Sequence, residues 1–332
     1  MKILLLFFLI LFKASLCYGF SPGGAISTGI IYDSNIRYLY IPDMFAAGID
    51  LPEKEGFFIM SEGEIGFYRK NLSIAYSLYS RGGISRPETS ELDNYLSVSF
   101  TGELSEKLRF DLLGMTHYSL RDYTEKFHHL FLDNSLSTSF YYDHSNHMAL
   151  YAGASFSAVS ALNENVKNFS GPVPGLQSGV YFHPKKDANY IFLNSKLSFY
   201  FLRDWKISYR FDDVVIKTLE IPGNFHEISA GVETYWNFKD LSLLFTIDYE
   251  HRYFYEPSLL RNYEKSVTVK TQRTDNALKV HISLIYPFFK DFSLIARYAF
   301  TAQKSTVGSH PEHYTDHSYT QHVISTGIKW EF

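Results

Sequence analysis

The sequence predicts an all-β protein, a transmembrane antiparallel up-and-down β-barrel of about fourteen strands. Three observations support this prediction: polar and apolar residues alternate with period two, aromatic residues make up 17% of the chain, and the last alternating segment ends on the terminal residue. The mean hydropathy is nevertheless -0.14, as in a water-soluble protein. A barrel accounts for both the high aromatic content and the low mean hydropathy, because half of each strand faces lipid and half faces water.

Residues 1–19 have the layout of a secretory signal peptide, and residues 20–332 form the predicted barrel domain. Lys2 precedes an apolar run that is too short to cross a bilayer, and small or polar residues lead to a cleavage site predicted after Gly19. The one cysteine, Cys17, lies in this segment, and Leu16 stands where a lipoprotein cleavage site needs a small residue. The mature chain therefore has no cysteine, which suits an oxidising compartment.

The formal net charge excludes a nucleic-acid-binding function. It is -4 for the whole chain, and loss of Lys2 and Lys13 with the signal peptide lowers it by two, to about -6. Beyond the signal peptide no run of about twenty apolar residues occurs, so a helical membrane protein is also excluded. We predict no cofactor and no resident metal.

Period-two alternation identifies the individual strands. The apolar side chains of Phe245, Ile247 and Tyr249, for example, alternate with Thr246, Asp248 and Glu250, and Leu244 is the one break in this segment. The predicted strands are Ile26 to Arg37, Phe57 to Tyr68, Leu72 to Ser80, Glu91 to Glu103, Lys107 to Arg121, Phe127 to Tyr141, His147 to Ala161, Tyr190 to Phe201, Trp205 to Lys217, His226 to Phe238, Leu241 to Phe254, Asn276 to Pro287, Phe292 to Gln303 and Tyr319 to Phe332. A further strand at Leu176 to His183 would break the even number that bacterial barrels have, so sixteen strands is the alternative.

The connections alternate between tight polar turns and longer links, as in barrels with short periplasmic turns and long outer loops. The tight turns include Arg69 to Asn71, Leu202 to Asp204 and Lys239 to Asp240. The longest link, Leu162 to Asn189, contains the turn-rich segment Gly171 to Gly175 and is predicted to be an exposed or lid-like surface loop. An even strand count then predicts that both termini are periplasmic.

The closing octet carries a resemblance to a known class. A polar residue, Ser325, is followed by Gly327, and aromatic residues Trp330 and Phe332 end the chain. This pattern resembles the assembly signal of outer-membrane β-barrel proteins of Gram-negative bacteria. The resemblance implies recognition by the barrel assembly machinery and a place among outer-membrane lipid and lipopolysaccharide, without indicating a transporter family. The segment Gly29 to Ile36 is similar to the first strand of some barrels tied to surface export.

The alternation places charges of both signs on the interior face. They are Asp33, Arg37, Glu62, Glu64, Arg109, Asp111, Arg121, Lys206, Arg210, Asp212, Glu233, Asp248, Glu250, Arg252, Lys279 and Arg297. If these side chains line a water-filled pore, opposed acidic and basic walls would select solutes by charge. If they pair across neighbouring strands, they would instead fill a narrow lumen, and the sequence leaves both interpretations open.

Other polar clusters carry weaker hypotheses. Arg81, Arg86, Lys185 and Lys186 lie in predicted outer loops and are candidate contacts for lipopolysaccharide phosphates. Histidines and acids between His310 and His322 have metal-compatible spacing, but a solvated loop is favoured because no strand fixes them. His117 and Ser119 share a face, whereas His226 and Ser229 do not on a regular strand. A lipid-active enzyme also needs a third group that orients the histidine, and the segment His117 to Leu120 does not reproduce the local motifs of such enzymes.

The sequence therefore predicts a passive, porin-like channel or transporter for small solutes, without enzymatic activity. A non-conducting surface or adhesion protein, or an export-associated barrel, is the alternative. A lipid-active enzyme ranks lower. A channel for apolar compounds is also disfavoured, because no segment before Ile26 is long enough to form an internal hatch.

Overall fold

The computed structural model describes residues 21–34, 56–84, 90–124, 127–161, 170–183, 189–203, 205–211, 214–221, 223–262, 267–306 and 319–332. Fourteen strands form one closed barrel. They are β1 (Ser21–Asp33), β2 (Gly56–Arg69), β3 (Leu72–Gly83), β4 (Ser90–Ser105), β5 (Leu108–Thr124), β6 (Phe127–Ser145), β7 (Met148–Ala161), β8 (Ser170–Phe182), β9 (Tyr190–Phe201), β12 (Asn224–Phe238), β13 (Leu241–Phe254), β16 (Thr274–Phe289), β17 (Phe292–Ser305) and β18 (Tyr319–Glu331). A separate four-stranded sheet contains β10 (Trp205–Phe211), β11 (Val214–Ile221), β14 (Ser258–Asn262) and β15 (Val267–Thr271).

Every barrel strand pairs antiparallel with the next barrel strand along the chain, and β1 pairs with β18 to close the ring. The predicted fold class and the count of fourteen are confirmed. Five two-residue turns and both ends of the described chain lie at one end of the barrel, which we call the turn end. The connection between β8 and β9 also lies at the turn end, because Phe182 pairs with Met148. The opposite end, where the other connections emerge, is the loop end. No helix long and apolar enough to cross a bilayer occurs in the described ranges.

Two predicted strand assignments are wrong, and the errors cancel in the count. The segment Trp205 to Lys217 is not a barrel strand, because it forms β10 and part of β11 in the separate sheet. Conversely, residues 170–182, which fall within the predicted surface loop, form the barrel strand β8. The predicted turn at Leu202 to Asp204 accordingly lies at the loop end, where β9 ends.

Local chemistry explains both errors. Pro172 and Pro174 lie where β8 pairs with β7 but not yet with β9, whose pairing begins at Gly175. The end of β9 still lies beside this stretch, since the Arg203 N–H donates to the Ser170 carbonyl oxygen at 3.3 Å. A proline reads as a strand breaker in sequence because it has no N–H to donate, but here it ends only the β8–β9 ladder and leaves β8 in the sheet. The alternation of β10 has the same period as a membrane strand, so periodicity alone does not separate the two.

The exterior face of the barrel is apolar over its middle. Its alternate positions hold exposed large side chains, among them Ile26, Ile30, Leu78, Val98, Leu112, Leu136, Leu150, Leu176, Leu193, Ile228, Ile247, Leu278, Leu294, Ile324 and Ile328. Strands of 12 to 19 residues exceed the 9–11 that a tilted strand needs to cross a bilayer, so several project beyond it. This surface has the character of a transmembrane barrel.

Two belts of exterior aromatic rings bound this apolar band. At the turn end the belt includes Phe100, Phe110, Phe140, Trp236, Phe238, Phe292, Trp330 and Phe332, with neighbouring ring centroids 5.0–6.4 Å apart. Toward the loop end a second belt includes Tyr32, Phe57, Phe199, His226, Tyr253, Tyr298, Phe300 and His322. Aromatic side chains prefer both membrane interfaces, so the belts set the depth of the barrel in the bilayer.

The seam between β1 and β18 is tightly packed. Gly29 and Gly327 are directly paired, and a Cβ atom added to Gly327 would lie 2.4 Å from the carbonyl oxygen of Thr28. At the turn end the main chain of Phe332 exchanges two hydrogen bonds with Gly24, each 3.0 Å long. Gly327 therefore permits the close approach of the two strands, and the terminal residue extends the ladder to the end of the chain.

The place of β8 in the wall predicts opposite accessibility for two adjacent positions. In a Cys17→Ser background, Gln177→Cys faces the interior and should react with a charged, membrane-impermeant thiol reagent in lipid vesicles. Leu176→Cys faces lipid and should be protected, because the leucine is 58% exposed on the exterior. Equal modification of the two cysteines would contradict the assignment of β8 to the barrel.

The seam predicts a selective sensitivity to a single methyl group. Gly327→Ala should lower the free energy of unfolding by about 1–3 kcal/mol, because the added carbon has no room. Urea unfolding in detergent micelles measures the change. Gly63→Ala is the matched control, since a Cβ there meets no atom within 4 Å, and its effect should stay within about 0.5 kcal/mol. Equal effects at both positions would show that the seam is not tightly packed.

Candidate functional site

The interior face of the barrel concentrates the charged side chains. Residues that alternate with the apolar exterior point inward on every barrel strand. The acidic ones include Asp33, Glu62, Glu64, Glu91, Asp93, Glu103, Asp111, Asp133, Glu227, Glu233, Asp248, Glu250, Asp275 and Glu331. The basic ones include Arg81, Arg109, Lys196, Arg252, Lys279, Arg297 and Lys329. Acidic side chains outnumber basic ones on the described interior face.

An ion pair bridges the seam on the interior side. Arg297 on β17 reaches past β18 and β1 to Glu62 on β2, where its two terminal nitrogens donate to the two carboxylate oxygens at 2.6 and 3.1 Å. Ser325 and Ser27, both buried, lie on the intervening strands, and the Ser27 hydroxyl donates to Glu62 at 3.0 Å. Small side chains on these two strands thus let a bidentate pair cross the closing contact of the barrel.

A second contact holds the seam near the loop end. Asp33 on β1 is fully buried and accepts hydrogen bonds from Arg81 at 2.8 Å and from Gln321 at 3.0 Å. The Arg81 guanidinium also lies 3.8 Å from the centroid of the Phe58 ring. This part of the interior wall is packed and dry, in contrast to the wall at the turn end.

A third group of charges lies on β12, β13 and β16. Arg252 donates to Glu227 at 2.6 Å and to Glu250 at 3.2 Å, and Glu250 in turn pairs with Lys279. Gly231 leaves room for the Asp248 carboxylate, since a Cβ there would lie 1.9 Å from its Oδ1 atom. The group joins three neighbouring strands and leaves Lys279 44% exposed to the interior.

Six aromatic side chains form a continuous interior surface at the turn end, which we call the aromatic wall. They are Tyr141, Tyr151, Tyr181, Tyr190, Phe192 and Tyr235, on β6, β7, β8, β9 and β12. Tyr181 stacks on Phe192 with centroids 3.9 Å apart and an interplanar angle of 8°. Tyr141 and Tyr151 are 5.1 Å apart, and Tyr190 and Tyr235 are 5.8 Å apart. All six rings are half-buried, so their remaining surface faces the interior.

On the opposite side, half the ring of strands away, a cavity of about 480 Å³ opens at the turn end. Its charged lining consists of Glu62, Glu64, Arg297, Lys329 and Glu331. Lys329 pairs with Glu331, and the exposed Tyr68 hydroxyl donates to Glu64 at 3.4 Å. The turn end of the interior therefore combines one aromatic wall with one charged wall.

The structure distributes the predicted interior residues as follows. Asp33, Glu62, Glu64, Arg109, Asp111, Glu233, Asp248, Glu250, Arg252, Lys279 and Arg297 lie on the interior face of barrel strands. Arg210 and Lys206 lie on β10 instead, so their assignment to the barrel wall is wrong. Arg37, Asp212 and the side chain of Arg121 fall outside the described residues. That the interior residues line a conducting pore stays a prediction.

Arg81 also departs from its prediction as an outer-loop residue. β3 continues to Gly83, and Arg81 is 7% exposed and paired with Asp33, so it does not reach lipopolysaccharide. Arg86, Lys185, Lys186 and the histidine-rich segment up to residue 318 lie outside the described residues, as does the predicted signal peptide. His322 lies within the described residues, and its ring nitrogen Nδ1 forms a 2.9 Å hydrogen bond with the Tyr298 hydroxyl on the exterior.

The candidate enzymatic pair faces the interior. The His117 ring stacks on Tyr95 and contacts Asp93 at 3.0 Å, whereas Ser119 is only 2% exposed. Because lipid lies outside the barrel, it does not reach this hydroxyl. His226 and Ser229 lie on opposite faces of β12, as the alternation predicts. Among the described residues no cluster of acidic, histidine or cysteine side chains is arranged to hold a metal ion.

The aromatic wall is the feature that sequence reasoning missed. Five of its six rings lie within predicted strands, and Tyr181 lies in the predicted loop. The signal was present in β8, where Leu176, Ser178, Val180 and Phe182 alternate with Gln177, Gly179 and Tyr181. Register then brings together rings that are almost a hundred residues apart in sequence, which no local pattern reveals.

Comparisons with known proteins give no family for the chain. No family model and no curated protein matches it. Similar solved structures include a deletion mutant of the monoaromatic hydrocarbon channel TodX (9% identity, 93% of this chain and 89% of that chain, TM-score 0.47). They also include the outer membrane channel DcaP of Acinetobacter baumannii (10%, 94% and 97%, 0.43) and an anion-selective porin from Comamonas acidovorans (9%, 94% and 99%, 0.39). The chain itself has the architecture of a bacterial outer-membrane β-barrel, with a closed ring of strands, an apolar exterior and a charged interior.

The Arg297 to Glu62 pair predicts a measurable coupling across the seam. A double-mutant cycle with Arg297→Gln and Glu62→Gln should give a coupling energy of about 1–2 kcal/mol in urea unfolding, reduced from a fully buried pair by partial solvent exposure. Lys279→Gln with Glu250→Gln is the matched cycle away from the seam and should give less than about 1 kcal/mol. A larger coupling in the second cycle would contradict a special role of the seam pair.

Proposed function

We propose that the protein is a passive channel for small hydrophilic solutes in the outer membrane of a Gram-negative bacterium. The observation that carries the proposal is the interior face of the closed barrel, which is polar and charged and in part exposed. Glu64 and Lys196, for example, are exposed side chains that point inward. A barrel of fourteen strands is wider than the eight-stranded kind whose interior is filled by side chains.

The charge of the interior supports a preference for cations. Acidic side chains outnumber basic ones there, and most of the basic ones are neutralised in ion pairs with neighbouring acids. A net negative lining raises the local concentration of cations and lowers that of anions. The turn end, with its exposed Glu64 and its open cavity, is the region where this field acts on entering solutes.

The proposal includes an orientation. An even number of strands puts both ends of the barrel chain at the turn end, and short turns belong to the periplasmic side of outer-membrane barrels. The loop end, with the longer connections and the separate sheet, then faces outward. The barrel assembly machinery and lipopolysaccharide are the partners that this orientation entails.

The separate sheet favours a second candidate, a surface protein that binds a macromolecular partner. Among the strands in the described part of the chain, the sheet order β10, β11, β14, β15 leaves β10 and β15 at the edges, and both hairpins of this sheet arise from connections at the loop end. A free strand edge is a template for pairing with another chain. The two candidates differ in conductance, which is simple to measure: a channel conducts ions and a surface protein of this kind does not.

Planar-bilayer recording of the refolded protein tests the channel. We expect discrete current steps and, in a KCl gradient, a reversal potential of the sign that reports cation preference. Glu64→Gln should reduce this preference, because it removes an interior charge. Glu106→Gln removes the same charge from an exposed turn outside the barrel and serves as the control. A bilayer that stays sealed at all voltages would refute the channel and favour the surface protein.

A further inference from the structure

We propose that the aromatic wall is a binding surface for carbohydrate, so that the solutes of this channel include linear oligosaccharides. The inference rests on the proposed channel function for the route by which the ligand arrives, but the binding itself is independent of conduction. It is carried by the six rings and by the polar groups placed among them.

The wall has the dimensions of an extended site. Its rings occur on five adjacent strands, and four spacings of about 4.8 Å span about 19 Å of the circumference. Successive contacts link the rings without a gap: Tyr151 and Phe192 are 5.7 Å apart, and Tyr181 and Tyr190 are 5.8 Å apart. A surface of this length accommodates several sugar rings of one chain, rather than one small molecule.

Glycine makes the wall smooth at its centre. A Cβ atom added to Gly179 would lie 2.5 Å from the Phe192 ring, so the absence of a side chain lets that ring lie against the sheet. Tyr181 then stacks on Phe192 with its plane nearly parallel. The stack covers one face of each ring, and both rings are only half-buried, so part of their surface stays open to the interior.

Polar groups lie at the edges of the rings. Tyr190 donates to Glu233 at 2.6 Å, the Tyr151 hydroxyl bonds to Ser139 at 3.1 Å, and the Arg109 guanidinium lies 5.4 Å from the centroid of Tyr141. Gln177 donates to Ser139 at 3.4 Å. Donors and acceptors thus alternate with apolar faces along the wall.

This combination matches a pyranose better than an aromatic or aliphatic hydrocarbon. A sugar ring has a face of C–H bonds, which packs on an aromatic ring, and a rim of hydroxyl groups, which bonds to carboxylate, amide and guanidinium groups. A hydrocarbon would use the faces but displace water from Glu233, Arg109 and Ser139 without replacing its hydrogen bonds, which costs affinity.

Isothermal titration calorimetry on the full barrel in detergent tests the site with maltohexaose, a neutral and linear probe. We expect saturable binding to the parent protein. Tyr181→Leu keeps an apolar side chain but removes the aromatic face, and should weaken binding about threefold to tenfold. Tyr181→Phe keeps the face and should change it less. Tyr79→Leu, on the opposite wall, is the matched control and should bind as the parent does.

Three outcomes would overturn the inference: no binding of maltohexaose up to its solubility limit, equal weakening by Tyr79→Leu and Tyr181→Leu, or binding of indole in place of the sugar. Heat-modifiable gel migration verifies that each variant is folded. If Tyr181→Leu does not fold, Tyr235→Leu at the edge of the wall replaces it. Block of the ionic current by the sugar adds support, whereas a sealed bilayer refutes the channel and leaves the calorimetric result valid.

Discussion

The rest of the structure depends on the pairing of β1 with β18. In a bilayer each unpaired backbone N–H or C=O group costs several kcal/mol, so a sheet is stable there only without edges. The chain meets this requirement with two glycines that allow close approach, with main-chain bonds from Phe332 to Gly24, and with side chains that cross the contact on its interior side. Interior, exterior and both aromatic belts are defined only once this contact exists.

Closure also explains why the interior is heterogeneous. Near the seam at the loop end, Asp33 and Arg81 are buried together with Phe58 and Met60, so this wall is as dense as the core of a soluble protein. At the turn end the same strands carry exposed charges, and the strands opposite carry the aromatic wall. The interior thus has a buried region near the seam, which stabilises the fold, and an exposed region at the turn end, which is accessible to solutes.

Much of the architecture could be predicted because alternation reports the two faces of each strand directly. Phe332 fixed the phase of β18, and the interior positions of Arg252, Lys279 and Arg297 followed from it. The failures occurred where alternation is ambiguous: Pro172 and Pro174 lie just beyond the end of the β8–β9 ladder, which sequence does not reveal, and β10 has a membrane-like period outside the barrel. The aromatic wall depends on register between strands, and its recognition needed β8 in its correct place.

The seam pair has a consequence for the order of folding. Arg297 and Glu62 are separated by 235 positions in sequence, so their contact forms the largest loop of any described salt bridge. Contacts of such separation carry a high closure entropy and form late, after the local hairpins. A chain that lacks its last strand therefore keeps its earlier hairpins but forms no ring, and its two free edges remain open to pairing with other chains. The final strand is thus also a safeguard against aggregation during assembly.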